Sequence, residues 1–75
     1  MSKETFDLKG LICPLPVIRT QNKIKTLNAG DILVVLCSDP GALHDIPAWC
    51  RIHGHEITDT QDKDGEITIA IKVIN

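Results

Sequence analysis

The sequence predicts an α+β fold: a two-layer α/β sandwich in the order β-α-β-α-β-β, with two helices on one face of a four-stranded mixed sheet. Three observations predict it. The segment Glu66 to Ile74 alternates, with Ile67, Ile69, Ile71 and Val73 on one side and Thr68, Ala70 and Lys72 on the other, which is the pattern of a strand with one covered and one wet face. Two prolines, Pro14 and Pro40, each follow a short break after an apolar segment and mark helix starts. Between the two predicted helices lies Ile32-Leu33-Val34-Val35-Leu36-Cys37, an unbroken apolar run that reads as a central strand.

Each element follows in order. Thr5 to Lys9 places Phe6 and Leu8 on one side and forms a short strand that Gly10 ends. A helix is expected from about Pro14 to about Leu27, with Val17, Thr20, Ile24 and Leu27 on one face and Arg19, Lys23 and Lys25 elsewhere. Asn28-Ala29-Gly30 stops it. After the central strand, Ser38 or Asp39 is expected to cap the second helix, which carries Leu43, Ile46, Trp49, Cys50 and His53 at helical spacing. Pro47 is expected to kink this helix or split it in two, with Asp45 capping the segment that follows, and Gly54 ends it. His55 to Gln61 is a third strand, and Asp64-Gly65 is a hairpin signal leading into the last strand. The first β-α-β unit should be right-handed with parallel strands. It places the turn that holds Cys13 at the carboxyl edge of the sheet, where α/β units commonly carry sites, and Ser38-Asp39-Pro40-Gly41 reaches the same edge.

Composition narrows the function. The 75 residues suffice for one compact domain, expected to span 1–75. Net charge is −2 with eight scattered Lys and Arg, one Phe, one Trp and no Tyr, so neither the basic footprint nor the stacking platform of a nucleic-acid binder is present. The three cysteines, Cys13, Cys37 and Cys50, form no CxxC pair and no even framework, which suggests free thiols in a reducing compartment. The apolar run is too short to span a membrane and the first six residues lack a signal-peptide core, so a cytoplasmic location is expected.

Cys13-Pro14-Leu15-Pro16 is the chemically informative segment. A cysteine at a helix start faces unpaired N–H groups and the positive end of the dipole, which should favour its thiolate and lower its pKa. At pH 7 a free thiol is only about 3% ionised, and a pKa near 7 would raise that to about 50%. Pro14 and Pro16 fix the first turn, while Lys9 and Arg19 add positive potential. Cys37 and Cys50 are read as small core residues, with Cys37 also weighed as a resolving thiol for Cys13. His53 and His55, near Cys50, lack the closed ligand set of a structural zinc site, so no metal is assigned.

The segment Asp7-Leu8-Lys9-Gly10-Leu11-Ile12-Cys13-Pro14-Leu15-Pro16 closely resembles the start of the TusA/SirA-type sulfur-carrier family. The similarity continues through Ser38-Asp39-Pro40-Gly41-Ala42 and Asp45-Ile46-Pro47-Ala48-Trp49-Cys50, and covers about residues 5 to 74. The resemblance implies the same β-α-β-α-β-β sandwich and a persulfide relay without a cofactor. In such a relay a cysteine desulfurase or rhodanese-like donor loads sulfur onto Cys13, and the carrier passes it to an acceptor protein. Members serve tRNA thiolation, sulfur oxidation or cofactor assembly. The best-known tRNA-thiolation members carry an acidic residue where this chain has Leu15, and Arg or Lys is expected at His44, which points to a different partner; Leu15 and Asp45 are candidates for that contact. Two other classes stay open from the residues alone: a regulatory protein-binding module, and a thiol redox sensor pairing Cys13 with Cys37.

Overall fold

A computed structural model describes residues 3–74. Its elements run β1 (Lys3–Asp7), α1 (Leu15–Ile24), β2 (Ile32–Cys37), α2 (Ala42–Ile52), β3 (Glu56–Lys63) and β4 (Glu66–Lys72). The predicted order holds, and the strands form one mixed sheet in the order β1-β2-β4-β3. β1 lies parallel to β2, with Phe6 opposite Val35, while β2–β4 and β4–β3 are antiparallel. The hairpin between β3 and β4 closes on Asp64 and Gly65, both at positive φ (53° and 81°). That is the two-residue turn whose twist matches the strands, and the reason an Asp-Gly pair sits there.

The alternation in the two central strands explains the layering. Leu33, Val35 and Cys37 of β2 and Ile67, Ile69 and Ile71 of β4 point to one face and are fully buried, together with Val73 just beyond it. Ile24 of α1 and Ala42, Ile46 and Cys50 of α2 close over that face, with Leu8 from the loop after β1. Phe6, Val17, Leu27, Leu43, Trp49 and Ile57 pack around this centre. Both helices therefore lie on the same side of the sheet.

Several boundaries differ from the sequence expectation. α1 ends at Ile24 rather than near Leu27, because the chain tightens into i→i−3 bonds: Thr26 N donates to the Lys23 carbonyl and Leu27 N to that of Ile24, both at 3.0 Å. Leu27 still packs against the core from that turn. β1 begins two residues earlier than expected, and β3 runs on to Lys63. Pro47 does not divide α2, which continues as one helix from Ala42 to Ile52. Pro47 is the sixth of eleven helical residues, and its missing N–H costs one bond inside the helix, while Ile46 and Cys50 on either side are fully buried and hold the helix in one piece. Asp45 consequently caps no second segment and lies in the first turn of the single α2.

Candidate functional site

The β1–α1 loop carries Cys13 across the end of β2. Leu8 N donates to the Leu36 carbonyl at 2.7 Å, extending the β1–β2 ladder by one bond, and Leu8 itself is buried. Gly10 then turns the chain at φ +88°, a conformation that side chains disfavour. From there the loop is held by the segment after β2. Ser38 Oγ accepts from Gly10 N at 2.9 Å, and Asp39 Oδ2 accepts from Cys13 N at 2.7 Å. The other Asp39 oxygen accepts from Gly41 N at 3.1 Å. One carboxylate thus ties the cysteine backbone to the start of α2.

This changes the expected role of the Ser38-Asp39 pair. No side-chain hydrogen bond is made by the N-cap of α2, which is Gly41. Ser38 Oγ and one Asp39 oxygen go to the neighbouring loop, the other Asp39 oxygen takes the Gly41 N–H just before the helix, and backbone turns carry the helix start: Ala42 N donates to the Asp39 carbonyl at 3.0 Å and Leu43 N to that of Pro40 at 3.1 Å. The sequence motif is a clamp between two loops rather than a helix cap.

The cysteine side chain meets a second carboxylate. Cys13 Sγ donates to Asp45 Oδ2 at 3.1 Å. The thiol is exposed, whereas Cys37 and Cys50 are fully buried. The hydrogen bond to Asp45 is the main reason that the Cys13 pKa is raised, followed by desolvation and by the negative charges of Asp45 and Asp39. The helix start was expected to lower it, and the structure reverses that sign. Three features explain why. Helix α1 begins at Leu15, two residues past the sulfur. Pro14 and Pro16 have no N–H to offer, and the Leu15 N–H is already given to the Ile12 carbonyl at 2.9 Å. The nearest charged groups are then carboxylates, which disfavour a thiolate.

The other expected site residues divide. Pro14 occupies the N-cap position of α1 after a cis Cys13–Pro14 bond, and Pro16 is buried, so both shape the first turn. Lys9 is drawn toward Glu66, its ammonium 3.7 Å from that carboxylate, rather than held at the thiol. Arg19 lies exposed on α1, with no hydrogen bond or ion pair to it among the described residues. Leu15 is exposed, as are Ile12 and Ile18, so an apolar collar borders the cysteine. Burial lifts the thiols of Cys37 and Cys50 to about 11, in Cys37 with the added negative charge of Asp39 and Asp7. His53 and His55 both pack against Trp49, at 4.5 and 5.6 Å between ring centroids, and His55 Nδ1 accepts from Ile74 N at 3.2 Å. These contacts fasten the end of α2 to the end of β4.

Asp45 as a partner of the sulfur was not legible beforehand. It lies 32 positions from Cys13 in the chain, and only the meeting of the two loops brings it there. The one available signal was the position of Asp45, four residues past the Gly41 that begins the turn.

The fold has a counterpart among solved structures, and the sequence has curated relatives. A SirA-like protein of Desulfitobacterium hafniense superposes with a TM-score of 0.84 at 27% identity, over 96% of this chain and 99% of that one. The sulfur carrier protein TusA of Pseudomonas paraeruginosa is 41% identical over 60 residues, 80% of this chain and 76% of its own length. That of Allochromatium vinosum is 30% identical over 69 residues, 92% and 91% of the two chains. The model of the sulfurtransferase TusA family matches residues 4–73, and with it the chain belongs to the TusA family of sulfur carriers.

Proposed function

We propose that this protein carries sulfane sulfur as a persulfide on Cys13, taking it from a donor protein and giving it to an acceptor. The observation that carries this reading is the sorting of the three thiols: Cys13 is exposed at the rim where two loops meet, while Cys37 and Cys50 are sealed in the core. A sulfur that changes hands between proteins must be reachable by both. The collar of Ile12, Leu15 and Ile18 gives a partner apolar surface to cover beside the thiol. The donor is of the cysteine desulfurase or rhodanese-like class, and the acceptor acts in tRNA thiolation, sulfur oxidation or cofactor assembly. The three free thiols suit the reducing cytoplasm, and no described helix is long and apolar enough to cross a membrane.

Intact-mass measurement after incubation with a cysteine desulfurase and free cysteine tests this. The wild-type chain should gain one sulfur atom, as should Cys37→Ala and Cys50→Ala, whereas Cys13→Ser should gain none while remaining folded. Loading of the serine variant at the wild-type level would remove the reading. A loss of two hydrogens under oxidant would favour the redox-sensor alternative, which the burial and raised pKa of Cys37 oppose, since a resolving thiol must ionise to react. A chain that changes mass under neither treatment would favour a protein-binding module.

A further inference from the structure

We propose that Asp45 is the acid–base group of sulfur transfer at Cys13, holding the thiol protonated in the free carrier and receiving its proton when a donor protein covers the rim. The inference rests on the persulfide reading above and adds to it the residue that moves the proton.

The geometry supports it on two counts. Asp45 Oδ2 lies 3.1 Å from Cys13 Sγ, within reach for direct proton transfer. The loop is also prevented from swinging the sulfur away, because Asp39 grips the Cys13 backbone N–H at 2.7 Å and Ser38 grips that of Gly10 at 2.9 Å. The charged and titratable groups on the elements meeting at this rim are Asp39, His44 and Asp45 from the β2–α2 side, Asp7 at the end of β1, Lys9 from the cysteine's own loop, and Arg19 from α1. Of these, Asp45 bonds the sulfur, Asp39 bonds the backbone, Asp7 Oδ1 accepts from Lys9 N, and Lys9 pairs with Glu66.

In the free carrier the proton stays on sulfur, where it bridges to the Asp45 carboxylate. A donor seated on Ile12, Leu15 and Ile18 excludes water from the rim, which strengthens a carboxylate as a base, and brings its own N–H or cationic groups to the sulfur, which stabilise the thiolate against the same loss of water. The proton then passes from Cys13 Sγ to Asp45. The new thiolate attacks the outer sulfur of the donor persulfide, R–S–SH, forming the Cys13 S–S bond as the donor's S–S bond breaks. The donor leaves as R–S⁻ and takes the proton back from Asp45. The sum is Cys13–SH plus R–S–SH giving Cys13–S–SH plus R–SH, with no outside oxidant or reductant. Discharge to an acceptor thiol runs by the same exchange. In the free carrier the same carboxylate suppresses the thiolate and so protects an exposed cysteine from small electrophiles and oxidants.

The test compares wild type, Asp45→Asn and Asp45→Glu in two assays, with circular dichroism to verify folding. Alkylation by iodoacetamide from neutral to alkaline pH reads the thiol alone, and sulfur loading from a desulfurase at saturating donor reads the transfer step apart from donor binding. Asp45→Asn should move the alkylation midpoint to lower pH and speed alkylation at neutral pH, yet slow saturated loading by roughly 100-fold, the usual contribution of a positioned acid–base group. Asp45→Glu should recover part of the loading rate. If the Asn variant loads as fast as wild type, or only its KM for the donor changes, the acid–base role is overturned. An unmoved alkylation midpoint overturns the pairing itself. A wild-type chain that takes no sulfur overturns the relay reading and the transfer step with it, whereas a loaded wild type beside an unimpaired Asn variant overturns the role of Asp45 alone.

Discussion

Asp39→Ala cuts the clamp between the two loops, and its cost can be worked from the contacts. The carboxylate accepts two backbone N–H bonds, from Cys13 at 2.7 Å and from Gly41 at 3.1 Å. Hydrogen bonds to a charged group contribute about 1.5–3 kcal/mol each when water is excluded. Here Cys13 is exposed and Asp39 is half-buried, so the freed N–H groups regain water and the pair together is worth about 1.5 kcal/mol. For a domain of this size that corresponds to a fall in Tm of roughly 6–12 °C. In urea, with a slope of about 1 kcal/mol per molar, it is a midpoint shift of about 1.5 M. The slope itself should not change, since the clamp buries little surface. Asp39→Asn keeps one carbonyl oxygen and should lose about half as much. The two variants also remove a negative charge that holds the Cys13 thiol up, so alkylation of Cys13 should shift to lower pH while stability drops. An Asp39→Ala unfolding curve that superimposes on wild type would refute the claim that this carboxylate joins the loops.

Further outcomes follow from the same structure. Cys50→Ala should remain loadable with sulfur but lose roughly 1 kcal/mol or more, because it empties fully buried volume under α2; urea unfolding measures this. Stability should fall in alkali: Cys37 and Cys50 stay protonated in the fold until about pH 11, whereas the unfolded chain releases those protons from about 9, so each thiol contributes a loss of at most about 1.4 kcal/mol per pH unit between those values. Unfolding free energy measured across that window should slope downward, and less steeply in Cys50→Ala. His55, whose pKa is lowered by desolvation and then by the charge of His53, should titrate below 6.5 by NMR; a midpoint at or above that value would mean the ring is not withdrawn from water as it is packed here. Ile12→Ser and Ile18→Ser should change stability by less than about 0.5 kcal/mol, as exposed substitutions do, while raising the KM for the sulfur donor. An unchanged KM would show that the apolar collar is not where the donor sits.

The parts of this molecule written in local periodicity were readable in advance. The alternation of Ile67, Ile69, Ile71 and Val73, the unbroken run over 32–37 and the proline-marked helix starts were sufficient for the element order, the parallel first pair and the one-sided core. The proline at 47 misled because the local rule counts only the lost N–H and the ring clash, whereas Ile46 and Cys50 on either side are held in the buried core and keep the helix whole. The site misled for a different reason. Cys13 at a helix start is a local feature, and its local physics favours a thiolate. The carboxylates that reverse the sign come from Asp39 and Asp45, 26 and 32 positions away, and their arrival depends on loop geometry that no periodicity encodes. Ser38 and Asp39 have the composition of a helix cap, and the difference between capping their own helix and gripping a neighbouring loop appears only in three dimensions.

The rim position of Cys13 has a kinetic consequence. The thiol stands exposed where two loops meet, with the apolar side chains of Ile12, Leu15 and Ile18 open to solvent on the same stretch of chain. A donor and an acceptor that both need that sulfur compete for the same surface and cannot occupy it together. On the relay proposed above, transfer through this chain would be a ping-pong exchange in which the carrier is loaded, released, diffuses and is discharged. Flux then depends on how many carrier molecules circulate and how fast each complex comes apart, and an acceptor that holds the loaded carrier too tightly slows the pathway as surely as one that does not bind it.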